Sequence, residues 1–490
     1  MAAKKKPAKK KKTTPKTANV VLSWEDDPMS VPSAAPIQRP VPNLADSRLA
    51  IRIDGPKPPP KIYPRGTKEF RFWTAAEALR RAADYWGGIL PSSFTWEIGS
   101  QLPIHLDQGT DLNAFYTRGG GGDPAGLNFF HDTVDGVTYF SGESPEVSCH
   151  ELGHAVLDAL RPELFQVAFV EAAAFHESYA DMGAILSVLQ LQSMRIDLIS
   201  STGGKIARNS RVSRLAEQLG FAIRQHHPDS VDADSLRNAA NTFFYRDPQQ
   251  LPPSAPANLL SSEPHSFSRV FTAAFLEILA GIFTLQGAPG SEQQLLDSTK
   301  IAGQLLAGAV GEAPVVPAYY SQVAAHFLSV DAAQFNKKYR DVIKGAFVRR
   351  GILSLDAASS GVTDAQIKST AKAAAAAAAH TDRRVQTLAL PAQRLGLDTL
   401  IVAAPASAPR FAVAPAAPSI GPLETPSRET AAQSFVEDLF RRGRVEMNGH
   451  GDPDTRVAQP GVRKTHELVA TDQGIELQRR MFDCGFDAGR

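Results

Sequence analysis

Residues 144–162 leave the chain little local freedom. Ser144 is a helix-capping residue, Pro145 suits a first helical position, and Pro162 ends the pattern, so the stretch between them is predicted to be one helix. It carries His150-Glu151-Leu152-Gly153-His154. Residues four apart share a helix face, so both imidazoles can reach one cation at about 2.0–2.1 Å, with the glutamate between them placed to act as base on a water. The HExxH spacing alone is a weak signal, and the reading depends on a third ligand.

Leu157 and Leu160 stand where a metzincin has glycine and histidine, which excludes that subclass. A second helical pattern carries Phe175-His176-Glu177-Ser178-Tyr179-Ala180-Asp181. Glu177 and Asp181 share a face, so the glutamate can complete a site of three protein ligands while the aspartate accepts the ring N–H of a ligand histidine. His176 is the alternative ligand, about 100° round the helix from Glu177, but the residue four beyond it is Ala180, which offers no supporting group. A salt-bridged helix pair without metal is the competing arrangement; burying these charges without a cation costs several kcal/mol. Cys149 is expected to pack as a small apolar side chain.

At 490 residues the chain has room for two or three folded units. Its formal net charge is +1, yet the first 16 residues hold eight lysines and no acid, a tail of a kind that contacts nucleic acid, an anionic surface or an acidic partner, or that only solubilises. Two cysteines exclude a disulfide framework and are compatible with a reducing compartment. No apolar stretch follows the lysines as in a secretory signal, and the apolar run at 270–285 is interrupted by Glu277, so the expectation is a cytoplasmic protein with no membrane span.

The expected organisation is α+β. Residues 1–65 are a disordered Lys/Pro/Ala-rich leader, 66–160 a β-rich lobe ending in the metal helix, 161–355 a helical lobe, 356–430 an Ala/Pro-rich linker and 431–490 a segment of no assigned function. Within the β-rich lobe an amphipathic helix begins near Thr74, and short runs between residues 94 and 140 read as a small antiparallel sheet.

HExxH followed by Glu-x-x-x-Asp 23 residues after the second histidine resembles the gluzincins, specifically the thermolysin-like zinc metallopeptidases. Three further segments resemble that family. Asn113-Ala114-Phe115-Tyr116 is similar to the edge strand whose asparagine and backbone bind an extended peptide. His265, in a His-x-x-Ser segment that opens a helix, resembles the histidine that steadies the oxyanion. Arg237, 28 residues earlier, resembles the arginine that binds the substrate carbonyl. Residues 339–352 are similar to the family's closing helix. The resemblance covers about residues 74–355 and implies a β-rich and a helical lobe with the zinc helix along the cleft between them.

It further implies a zinc endopeptidase acting on peptide or protein substrates, with His150, His154 and Glu177 as Zn2+ ligands, Asp181 behind them, Glu151 and His265 catalytic, and Asn113, Ala114 and Arg237 on the substrate. Two departures stand out. No tyrosine occurs between His154 and Glu177, where the family has a catalytic one; Glu263 is the nearest candidate to orient His265. Glu146 falls at a calcium-ligand position of the family, but the other acids do not line up, so calcium is not expected. The alternatives are a catalytically weak or inactive zinc-binding protein used for scaffolding, and a nucleic-acid binder defined by its basic tail.

Overall fold

The run Val20-Val21-Leu22 is short, β-branched and apolar, the composition of a strand rather than of a leader. The computed structural model describes residues 19–31, 34–287, 290–360, 362, 366, 385–417, 422–451 and 462–484. In it β1 (Val20–Ser23) pairs antiparallel with β2 (Ile37–Pro40), and β3 (Ile51–Ile53) joins a larger sheet. Val21 and Trp24 are buried, and the Trp24 amide reaches the Thr74 hydroxyl. The expectation of a structureless leader over residues 1–65 is therefore corrected from residue 20 onward; the lysine-rich tail lies outside the described residues. Strands this short make no periodic pattern, and what orders them is α1 (Lys68–Gly87), capped by the Thr67 hydroxyl.

The sheet between the helices has five strands in the order β16-β5-β6-β4-β3, where β4 is Leu102–His105, β5 Ala114–Thr117 and β6 Gly126–Phe129. It is mixed, not antiparallel as expected: β3, β4 and β6 run parallel, and only β5 and the distant β16 (Met481–Asp483) run against their neighbours. Residues 95–98 form a turn rather than a strand. A separate hairpin, β7 (His131–Val134) with β8 (Val137–Phe140), leads to the metal-binding helix candidate.

That helix is α2 (Pro145–Leu160), with Pro145 in its first turn and the Ser144 hydroxyl accepting the Val147 amide at 3.3 Å. After the short α3 (Glu163–Gln166) comes α4 (Val170–Val188), buried along its whole length against α2, α1 and later helices. A Cβ at Gly153 would lie 2.7 Å from the Ala180 Cα, so the glycine permits the close approach that sets α2 and α4 side by side. Then follow α5 (Gln192–Thr202), β9 (Arg214–Leu215), α6 (Glu217–Arg224), β10 (Arg237–Asn238) and the long α7 (Pro264–Leu285). Helices α8 (Glu292–Glu312), α9 (Tyr319–Gln334) and α10 (Arg340–Arg349) close the bundle. Among the described residues α7 alone is long and apolar enough to cross a membrane, and 72% of that stretch is buried inside the protein.

Beyond α11 (Leu355–Ser360) the expected linker is again corrected, because residues 387–403 supply two strands of a second five-stranded sheet. Its order is β11-β12-β15-β14-β13, with β11 Thr387–Pro391, β12 Thr399–Ala403, β13 Val445–Glu446, β14 His466–Thr471 and β15 Gly474–Arg479. Helix α12 (Arg428–Arg441) packs beside it. The Ala-rich tract at 371–379 lies outside the described residues. From β15 the chain turns at Arg480 into β16 and returns to the first sheet. The protein is thus α+β, with twelve α-helices and several small sheets among the described residues.

Candidate metal centre

The i, i+4 spacing and the close α2–α4 packing together bring His150, His154 and Glu177 to one point. The two Nε2 atoms are 3.1 Å apart, and Glu177 Oε2 lies 3.5 Å from that of His150 and 3.6 Å from that of His154. Three donors bound tetrahedrally to one ion at about 2.0–2.1 Å stand about 3.3–3.4 Å from one another, a value these edges bracket. All three side chains are buried.

What lies behind the rings fixes where they point. His150 Nδ1 is 2.9 Å from Asp181 Oδ1, and Asp181 is gripped by Arg237 through two hydrogen bonds of 2.9 and 3.3 Å. His154 Nδ1 is 2.8 Å from Nδ1 of His176. With the far nitrogen of each ring engaged, both Nε2 lone pairs face the common point, together with a carboxylate oxygen, Glu177 Oε2, that accepts no hydrogen bond. Three electron pairs converging in a dry interior repel unless a cation or proton joins them. The donor set of two imidazoles and a carboxylate suits Zn2+, and the residues present fit that ion.

The electrostatics fit as well. Burial opposes a charged His150, but the neighbouring Asp181 and Glu177 carboxylates hold its pKa up at about 9. Burial and the surrounding cations keep His154 neutral, its pKa well below the usual histidine range. Asp181, although buried, is held below the ordinary carboxylate range by Arg237 and His150.

Glu151 lies beside the ligands, fully buried, with the Cys484 thiol as its neighbour. Burial raises its pKa to about 8, against the pull of His150 and the neighbouring Cys484 thiol. His265, at the start of α7, has Nδ1 2.7 Å from Glu263 Oε1 and Nε2 3.4 Å from Glu177 Oε2. Burial works against its charge, yet Glu177 and Glu263 hold its pKa up at about 9, so the ring is a charged donor aimed at the centre.

The remaining predicted residues are placed differently from expectation. Arg237 does not face an open substrate position but is paired with Asp181. Ala114 heads β5 and Asn113 immediately precedes it, with the Asn113 side chain accepting the Ala114 amide at 2.9 Å. The free edge of β5, expected to receive a peptide, is taken by the chain's own β16, in register Met481 to Thr117, Phe482 to Tyr116 and Asp483 to Phe115. His176 is not a ligand: it backs His154 and stacks on Phe482 with ring centroids 3.7 Å apart. Phe482, Asp483 and Cys484 escaped the sequence reading altogether, because nothing local ties residues near the C-terminus to a strand more than 360 positions earlier.

A second buried group joins Asp27, Glu146 and Glu217 at the N-terminal end of α2. Comparison with family models and with curated proteins finds no match for this chain.

Proposed function

We propose that this protein is a zinc-dependent endopeptidase, a gluzincin with a thermolysin-like two-lobed α+β domain, in which His150, His154 and Glu177 hold the metal. The observation that carries this reading is the convergence of three lone-pair donors on one buried point, with a buried acid, Glu151, and an imidazole donor, His265, on its margin. A zinc ion held there would supply Lewis acidity to a peptide carbonyl and acidity to a water.

The chain's own residues carry the rest. Glu151 takes a proton from water and returns it to the leaving amide nitrogen. His265 Nε2–H donates to the oxygen that gains charge, and Glu263 steadies the ring through Nδ1. Asp181 and Arg237 orient His150. With β16 displaced, the β5 edge aligns a peptide by strand addition.

The test is a full chain loaded with zinc and given a mixed peptide pool. Chelator-sensitive hydrolysis is expected, and Glu151→Gln is expected to retain zinc while losing about 10²–10⁴ in rate. Zinc binding with cleavage unchanged by Glu151→Gln would refute the mechanism. A second reading, a zinc protein used for binding rather than catalysis, is favoured by the absence of a tyrosine between His154 and Glu177 and by the filled β5 edge.

A further inference from the structure

The strand that fills the cleft is seated as a substrate would be. β16 runs antiparallel along β5, and one peptide bond, between Asp483 and Cys484, has its carbonyl engaged at the centre and its N–H held by β5. The Asp483 carbonyl oxygen is 2.5 Å from His265 Nε2, the nitrogen that also lies 3.4 Å from the candidate ligand oxygen of Glu177. The Cys484 amide donates to the Ala114 carbonyl at 3.0 Å, and the Cys484 side chain interacts with Glu151.

Upstream of this bond the strand is clamped residue by residue. The Thr117 hydroxyl donates to the Arg480 carbonyl at 2.6 Å. Phe482, 2% exposed, stacks on His176 and on His154. Arg444 grips the Asp483 side chain at 2.7 Å. Cys484 is the last described residue, and Gly485-Phe486-Asp487-Ala488-Gly489-Arg490 follow it in the sequence.

We propose that the Asp483–Cys484 bond is cut by the chain that carries it, so that the protein's first substrate is its own C-terminal strand. This rests on the peptidase reading above. In the step, the oxygen of a water bonds to the Asp483 carbonyl carbon while Glu151 takes the water's proton. The carbon–nitrogen bond then breaks, and Glu151 passes that proton to the Cys484 nitrogen. The second water proton passes from the new carboxyl group to the same nitrogen, so the products are a chain ending in the Asp483 carboxylate and a peptide that begins with the Cys484 ammonium. Because upstream anchors hold the strand whether or not the bond is intact, the new carboxylate stays beside His265 and each chain cuts itself once. Any foreign peptide must first displace β16.

Intact mass spectrometry of the zinc-loaded full chain tests this. The expected result is loss of residues 484–490 from the wild type, at a rate independent of protein concentration, and no loss from Glu151→Gln even when it is mixed with wild type. Cys484→Pro, which removes the N–H given to Ala114, is expected to stay whole while still binding zinc. A readout without metal checks the seating itself. In the zinc-free chain Cys149 and Cys484 are both buried, so a maleimide should label Cys484 at least roughly tenfold more slowly than an open thiol, and Phe482→Asp should remove that protection while sparing Cys149.

Rapid labelling of Cys484 in the wild type would overturn the proposal at the first step. An intact C-terminus in a chain whose Phe482→Asp variant hydrolyses added peptides would overturn self-cleavage and leave the peptidase reading standing. A chain that neither holds zinc nor cuts any peptide would bring down both.

Discussion

Helix α2 contributes to two buried groups of metal-capable side chains, through Glu146 and, one turn on, His150 and His154, and the contrast between them shows what makes such a group a site. Around His150, His154 and Glu177, each ring is held from behind, by Asp181 or by His176, and Asp181 is itself held by Arg237. The ligand atoms of Asp27, Glu146 and Glu217 are also within 4.8 Å of one another. There, however, the carboxylates are largely committed to nearby donors: the Ala216 amide to Glu146, the Gln218 and Met29 amides and the Ser144 hydroxyl to Asp27. Burial and mutual repulsion raise their pKa values, Asp27 to about 6 and Glu217 to about 9, so protons relieve the repulsion. In the first group the support behind the rings leaves three lone pairs aimed at one point; in the second, proximity alone does not.

The sharpest way to break this contrast is at His265, which only the first group has. His265→Ala is expected to lower peptide hydrolysis by about 10²–10³, the effect of removing one oxyanion donor, with zinc content unchanged. A rate within a factor of about three of wild type would mean that this donor does not serve the reaction.

A smaller effect probes the support layer. Asp181→Asn removes the charge that Arg237 and His150 share and is expected to weaken zinc affinity about 10–100-fold by competition with a chelating dye. Equal affinity in the variant would show that orientation from behind is not what separates the two groups.

The smallest effect concerns the acidic group. The pKa of Glu217 is raised in the folded chain, from an ordinary value of 4.5 to about 9, so between those limits the folded state keeps a proton that the unfolded state has released. Its contribution to stability is present at pH below 4.5 and is lost as pH rises through about 9. Glu217→Gln carries no such proton, so its melting temperature should fall less steeply over that range, by on the order of 1–3 °C. Identical pH profiles for variant and wild type would contradict the burial argument.

Which parts were legible in the sequence follows from the range of the interactions that form them. The helices bearing His150, His154, Glu177 and Asp181 were readable because capping and i, i+4 spacing are local. The His265–Glu263 pair was within reach for the same reason, two residues apart at a helix start. His176 was weighed as a ligand and set aside, but its role behind His154 depends on how α4 is rotated against α2, which periodicity does not give. The strand at Val20–Ser23 is too short to announce itself among prolines and alanines, whereas residues 385–390 and 399–403 could be read as possible strands. β16 is the extreme case. Three residues near the C-terminus complete a sheet begun at residue 51, and only the tertiary fold brings them to the centre.

Metal analysis of the full chain, dialysed after zinc loading, tests the central claim most directly. The account predicts about one tightly held zinc per chain in the wild type, in Glu151→Gln and in Glu217→Gln, and essentially none in His154→Ala. A wild-type chain that stays zinc-free, or a His154→Ala chain that keeps its zinc, would contradict it.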